Sequence, residues 1–171
     1  MSEVWEWRSR SPAETSALGR ALGGVLRGGD FLALTGPLGA GKTHLLKAVA
    51  AGLCVPEHEP VVSPTFVLVR EYAGRVTLYH IDAYRLNGAA ELSSLGLDEM
   101  LAEPGAVIAV EWADRVAEAV PPYACWIEMA HAGRVVREVR VRWGDSERVA
   151  GWRAAGERAV RRLHHPPPIS S

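Results

Sequence analysis

The run Gly36-Pro37-Leu38-Gly39-Ala40-Gly41-Lys42-Thr43 fits the pattern G-x-x-x-x-G-K-[ST], and nothing else in the chain limits its fold as tightly. At average composition such a match arises by chance in well under ~1% of chains this size. Its surroundings are those the pattern needs. The compact apolar run Phe31 to Thr35 precedes it, and Leu45, Leu46, Val49 and Leu53 follow at helical spacing. Glycines let successive backbone N–H groups turn inward into an anion-binding nest with no Cβ in the way. A helix starting at Gly41-Lys42 directs its dipole and its unpaired N–H groups at the same anion. Of the 19 cationic residues, 17 are Arg and only Lys42 and Lys47 are Lys. A Lys in the motif suits a compact point charge reaching β- and γ-phosphate oxygens, where the planar guanidinium is a poor substitute. Thr43 offers a hydroxyl to Mg²⁺. The guanine-reading Asn-Lys-x-Asp motif is missing, because the one Asn, Asn87, is followed by Gly-Ala-Ala. The nucleotide expected is therefore ATP.

Strand and helix signals around this loop predict one α/β domain. Val4 to Trp7 reads as a first strand. Ser11-Pro12-Ala13-Glu14 opens a helix, with a capping Ser, Pro at the first position and an acid in the first turn. Leu18, Leu22, Val25 and Leu26 continue it, and Gly28-Gly29 ends it. Val61-Val62, Phe66 to Tyr72 and Val76 to Ile81 are strand candidates, the last two joined by a tight turn at Ala73-Gly74. Leu86 to Glu103 reads as one or two short helices. Val107 to Val110 is wholly apolar, as a strand buried on both faces should be. Tyr123 to Ala130 and Val135 to Trp143 flank a turn containing Gly133. In the second run Val139, Val141 and Trp143 alternate with charged residues, the mark of a half-exposed antiparallel strand. Asp145 begins a polar, Arg-rich helix, and His165-Pro166-Pro167-Pro168 ends it in a loose tail. The expected architecture is a P-loop NTPase-like three-layer α/β fold. Its central sheet is mixed and mainly parallel, with an antiparallel C-terminal portion. Residues 1–144 form the P-loop domain, and 145–171 a helical extension and tail of it.

In open α/β sheets the ligand lies at the carboxyl ends of the strands. Three candidate strands end there in polar groups: Val107 to Val110 in Glu111-Trp112, Val76 to Ile81 in Asp82, and Val61-Val62 in Ser63-Pro64-Thr65. A buried strand ending in a carboxylate can hold Mg²⁺ directly or through water beside a phosphate loop. Asp82 could equally cap a helix, and Thr65 could be a turn hydroxyl. Trp112 fits either the core or an aromatic wall beside the nucleotide. His80 is read as packed rather than catalytic. Either Asp82 or Glu111 could orient the attacking water, with Lys42 and the loop amides neutralising phosphate charge.

The net charge of −1 argues against a domain that clamps nucleic acid by charge alone. Two cysteines, Cys54 and Cys125, allow neither a disulfide framework nor a CxxC zinc site, and both are expected to be buried reduced thiols. No apolar stretch is long enough to span a bilayer, and the start of the chain has no signal-like apolar core, so a cytoplasmic protein is expected.

Taken together, GPLGAGKT, SPTFVLVREY (Ser63 to Tyr72), YHIDAYRL (Tyr79 to Leu86), Glu91-Leu92 with Leu95-Gly96-Leu97, and VIAVEW (Val107 to Trp112) resemble the bacterial TsaE (YjeE) family in order and spacing. The likeness runs roughly from Ser11 to Trp143. It implies a small P-loop ATPase that acts with TsaD and TsaB in the threonylcarbamoyl modification of N6 of the adenosine next to the anticodon in tRNA. The transfer itself belongs to TsaD, and the ATPase services the complex between turnovers. Carried across, Lys42 and the loop formed with Pro37 hold the phosphates, through the amides of Gly36, Leu38, Gly39, Ala40, Gly41 and Thr43. Thr43 and Glu111 lie on the metal side, and Asp82 beside the metal or the water. Ser63 to Thr65 would form a switch-like segment answering the γ-phosphate. Trp112 would lie near the site, and Ser11 to Thr15 would approach the adenine. Pro37 departs from the polar residue of many relatives and removes only its own amide. Contact with tRNA would then pass through the partners, although the Arg-rich stretch from Arg134 to Arg162 could be a patch for tRNA or an acidic partner rather than a solvated face. Two other functions compete. A small-molecule kinase would need an Arg-bearing lid; no clear lid segment is present, although Arg85 and Arg115 could serve such chemistry. A nucleotide-gated binding module would need no hydrolysis.

Overall fold

The computed structural model describes residues 3–62 and 68–168. The elements run β1 (Glu3–Ser9), α1 (Pro12–Val25), β2 (Phe31–Thr35), α2 (Lys42–Gly52), β3 (Val69–Ala73), β4 (Thr77–Asp82), α3 (Ala89–Ser94), α4 (Leu97–Ala102), β5 (Ala106–Glu111), a 3-10 segment (Ala113–Ala119), β6 (Cys125–His131), β7 (Arg137–Trp143) and α5 (Ser146–His164). Among the described residues seven strands form one sheet in the order β1-β7-β6-β2-β5-β4-β3. The four central strands, β6, β2, β5 and β4, are parallel to one another. Both flanks are antiparallel, β1 and β7 on one side and β3 on the other. The expected mixed sheet is present, with its parallel part confined to the centre.

Burial explains this arrangement. Every residue of β5 is buried, and so are the first four of β2. Strands apolar on both sides need helices on both sides. One face carries a cluster of Leu18, Leu22, Leu45, Val49, Val141 and Trp152, contributed largely by α1, α2, α5 and the sheet. The opposite face packs Phe31, Ile81, Leu92, Leu97, Val110 and Val116. Strand β7 alternates as its sequence does, with Val139, Val141 and Trp143 buried. Two helices, α3 and α4, occupy the Leu86 to Glu103 region.

Helix α1 starts where its cap predicts. The Glu14 N–H donates to Ser11 Oγ (3.2 Å), and the Arg10 N–H donates to Glu14 Oε2 (2.8 Å). Its partner α2 comes close because Gly23 has no side chain. A Cβ there would stand 2.4 Å from the Val49 carbonyl oxygen.

Two expectations fail. Val61-Val62 forms no strand: Val61 is buried and Val62 exposed, and neither belongs to a ladder among the described residues. Among the described residues the sheet ends at β3, and no strand pairs with Val61-Val62 to supply the hydrogen bonds that define one. Cys54 is exposed rather than buried, while Cys125 is buried as expected. Cys54 follows the end of α2 with φ 64°, between the buried Leu53 and Val55, and this left-handed exit turns its thiol outward. Ser63 to Thr65 and the first residues of the strand expected from Phe66 lie outside the described residues. Among the described residues no helix is long and apolar enough to cross a membrane.

Candidate functional site

The glycine-rich loop runs from the end of β2 to the start of α2. Gly36, Gly39 and Gly41 take φ values of 138°, 76° and 101°, a region L side chains rarely adopt. At Gly36 a Cβ would also stand 2.2 Å from the Met129 carbonyl oxygen, so β6 presses on the loop there. The outer turn is held from the same side. His131 Nε2 lies 3.3 Å from the Leu38 carbonyl oxygen, and the Arg137 guanidinium donates to the Gly39 carbonyl (3.4 Å).

Lys42 is buried at the first turn of α2. Its ammonium donates to the carbonyls of Gly36 (2.6 Å) and Pro37 (3.0 Å) and lies 4.1 Å from the centre of the Trp112 ring. Burial pushes this ammonium below its ordinary pKa, while the carboxylates of Glu111, Asp114 and Asp82 work in the opposite direction. Trp112 therefore forms the wall beside the loop, at φ 58° where β5 ends. Tyr84 packs against it with ring centres 4.9 Å apart, and the Arg115 guanidinium lies 5.0 Å over the Tyr84 ring.

The two strand-end acids come together. Asp82 and Glu111 are register partners across the parallel β4–β5 pair, and both are buried. The Thr43 hydroxyl donates to Glu111 Oε1 at 2.7 Å. His80 Nε2 lies 2.8 Å from Glu111 Oε2, with both side chains nearly inaccessible. The Tyr84 N–H donates to Asp82 Oδ1 at 2.9 Å.

A groove of about 370 Å³ joins these residues, lined among others by Gly39, Lys42, Thr43, Asp82, Glu111 and Trp112. A second hollow, also about 370 Å³, continues past Gly39, Gly41 and His44 to Pro12, Thr15, Val135 and Arg137. Thr15 thus lies on the far side of the loop from the acids, its hydroxyl 2.7 Å from that of Ser9. A larger hollow on the open face of β1, β7 and β6 lies away from the loop, and two Arg–Glu pairs line it: Arg8 with Glu138 and Arg140 with Glu6.

The arrangement fits a nucleotide. The cradle is shaped by glycines that no other residue could replace without strain, and an ammonium bends into it. It also fits Mg²⁺. Among the described residues no three His, Cys, Asp or Glu side chains converge to cage a metal unaided. One hydroxyl and two carboxylates beside a phosphate cradle form a hard oxygen set for an ion that shares its coordination with phosphate and water.

The structure thus brings Leu38, Gly39, Gly41, Lys42, Thr43, Asp82, Glu111 and Trp112 of the predicted set around one groove, with Gly36, Pro37 and Ala40 in the same loop, and places Thr15 in the second hollow across the loop. Thr65 is not among the described residues. Sequence reasoning missed three contributors. His80 is packed, as expected, but its contact with Glu111 went unread, although it alternates in phase with Asp82 along β4. Tyr84 and Arg137 carry no such signal, because they reach the site through a turn and a distant strand.

Comparison with known proteins agrees with this geometry. The family model for threonylcarbamoyl adenosine biosynthesis protein TsaE matches residues 9–139. The tRNA threonylcarbamoyladenosine biosynthesis protein TsaE of Treponema pallidum is 38% identical over 133 residues, 78% of this chain and 96% of that protein. Its counterpart of the same name in Bacillus subtilis is 40% identical over 135 residues, 78% of this chain and 82% of that one. The crystal structure of Bacillus subtilis YdiB superposes with a TM-score of 0.72 at 32% identity, covering 95% of this chain and 98% of the other. With its phosphate loop, paired strand-end acids and mixed seven-stranded sheet, the chain belongs to the TsaE family.

Proposed function

We propose that this protein is a Mg²⁺-dependent ATPase serving tRNA threonylcarbamoyladenosine biosynthesis, in which it acts with TsaD and TsaB and meets tRNA through them in the cytoplasm. The observation that carries this reading is the Thr43–Glu111 contact at the start of α2, in one groove with Lys42 and Asp82. A loop that only stabilised a turn would have no reason to bury a lysine and two carboxylates beside it.

Residue roles follow from position. The loop amides and Lys42 bind the phosphates, with the Lys42 ammonium exchanging the Gly36 and Pro37 carbonyls for phosphate oxygens. Thr43, Glu111 and Asp82 would hold Mg²⁺, which when bound neutralises charge on the β- and γ-oxygens. One of the two carboxylates orients the attacking water, and Trp112 and Tyr84 limit solvent at that end. Pro12 and Thr15 face the adenine side.

The test is ATP hydrolysis by the purified chain with and without TsaD and TsaB. Slow turnover alone and a clear increase with the partners are expected; equal rates under conditions where the three assemble would refute the accessory role. Lys42→Ala should abolish nucleotide binding. Glu111→Gln and Asp82→Asn should still bind ATP, and at least one should hydrolyse it roughly 100-fold more slowly. If both variants lose hydrolysis yet support tRNA modification, the protein is a nucleotide-gated binding module. ATP-dependent phosphorylation of a small acceptor would identify a kinase instead.

A further inference from the structure

His80 sits in β4 between Tyr79 and Ile81, opposite Ala109 of β5, and on the same sheet face as Asp82. It is fully buried. A carboxylate oxygen only accepts, so in its 2.8 Å contact with Glu111 Oε2 the imidazole Nε2–H is the donor. Its other nitrogen, Nδ1, is buried with no hydrogen-bond partner. Leu or Phe would fill this position without leaving a polar atom unpaired, so packing gives no reason for histidine. The bond to Glu111 does.

The terminal torsion of a glutamate is broad and roughly two-fold, so a carboxylate anchored at one oxygen still swings. Glu111 is anchored at both: Oε1 by Thr43 and Oε2 by His80. The Thr43 hydroxyl belongs to the groove and turns to whatever binds there. The His80 bond lies behind the acid and stays in place when it does.

We propose that His80 is a positioning residue that fixes the plane of the Glu111 carboxylate through Oε2, so that Oε1 stays aimed at Thr43 and the nucleotide groove. This inference rests on the reading of the groove as a Mg²⁺–ATP site.

The test uses the full chain and three substitutions. Glutamine places its amide nitrogen the same number of bonds from Cα as His Nε2; asparagine is one bond short, and leucine has no donor. ATP affinity is measured with and without Mg²⁺, together with kcat and KM. His80→Asn and His80→Leu should weaken Mg²⁺-dependent binding or kcat by roughly 10-fold or more, and His80→Gln should stay within about threefold of the parent. Metal-free ATP affinity should be unchanged in all three, because Lys42 and the loop are untouched. A merely structural role would make Gln and Asn act alike and lower metal-free binding as well. That result, or three variants equal to the parent, would overturn the proposal. A second measurement needs no His80 variant. In the ¹⁵N-labelled parent the His80 ring should show a protonated Nε2 whose resonance shifts in Glu111→Gln and on adding Mg²⁺–ATP. An unmoved resonance in a chain that binds Mg²⁺–ATP overturns this inference alone. A parent chain that does not bind Mg²⁺–ATP overturns the reading of the site and this inference with it.

Discussion

Lys42 shows why this arginine-rich chain keeps a lysine at one point. Its ammonium occupies a narrow space between two loop carbonyls and the face of Trp112. Three rotatable donors on a compact charge can move from those carbonyls to phosphate oxygens; a planar guanidinium of fixed fork geometry cannot make the same exchange. Lys47, exposed on α2, has no such surroundings, and nothing in the structure explains it. The cysteines differ just as sharply. Burial pushes the Cys125 thiol far up, beyond any working pH, whereas Cys54 is exposed at the end of α2. Thiolate is the reactive form, so an aromatic disulfide reagent should titrate one thiol in the folded chain and a second only on denaturation. Two fast-reacting thiols in the native protein would mean that β6 opens readily.

At the scale of elements, legibility followed from whether one segment's pattern was sufficient. β2, β5 and the loop between β2 and α2 could be read from sequence because a wholly apolar run and a glycine pattern each have a local cause. Val61-Val62 could not, because a strand exists only beside another, an apolar pair carries no sign of its partner, and among the described residues none pairs with it. Glu111 and Asp82 were legible as strand ends, but their pairing depended on the β4–β5 register. The opening of α1 was legible as well, from a capping Ser11, Pro12 at the first position and Glu14 in the first turn. What the sequence did not show is that Glu14 Oε1 lies 2.9 Å from His164 Nε2, at the last residue of α5. Burial alone would raise the Glu14 carboxyl, but the Arg10 N–H and the His164 imidazole outweigh it and hold the pKa below its ordinary 4.5. The unfolded chain therefore takes up this proton at a higher pH than the folded one. The stabilisation is complete above about pH 4.5 and is lost as pH falls through the lower folded value. Glu14→Gln should cost about 1 kcal/mol in denaturant unfolding at neutral pH, and the difference from the parent should shrink progressively as pH falls below 4.5. A difference that persists at low pH would assign the effect to packing rather than charge.

At the scale of the whole molecule, the near-neutral charge conceals an uneven distribution. On β1 and β7, Arg8 and Arg140 are met by Glu138 and Glu6. Arg148 turns inward to Asp30, beneath the Trp143 ring, and is only 12% exposed. The Arg-rich C-terminal part is thus neither a uniform solvated face nor a uniform patch; its exposed cations are Arg134 between β6 and β7, Arg140 and Arg142 on β7, and Arg153, Arg158, Arg161 and Arg162 on α5. The inner side of the same helix completes the core. Trp152 is fully buried, stacks edge-on against Trp5 at 5.0 Å, and donates its indole N–H to the Leu18 carbonyl (2.9 Å). Gly156 lets α5 lie against α1, since a Cβ there would stand 3.1 Å from Leu18 Cδ1. The extension beginning at 145 should therefore behave as part of the folding unit. Loss of a buried Trp alone costs about 3–5 kcal/mol, a large share of the roughly 5–15 kcal/mol that holds a domain folded. A chain ending at Gly144 should unfold at a much lower urea concentration than the full chain, with Trp152→Ala in the full chain falling between them. Because α5 holds α1, and Pro12 and Thr15 of α1 line the second hollow beside the glycine-rich loop, ATP affinity should fall along the same series. An unchanged urea midpoint in the shortened chain would show that α5 is an appendage, and would leave α1 to hold its side of the groove unaided.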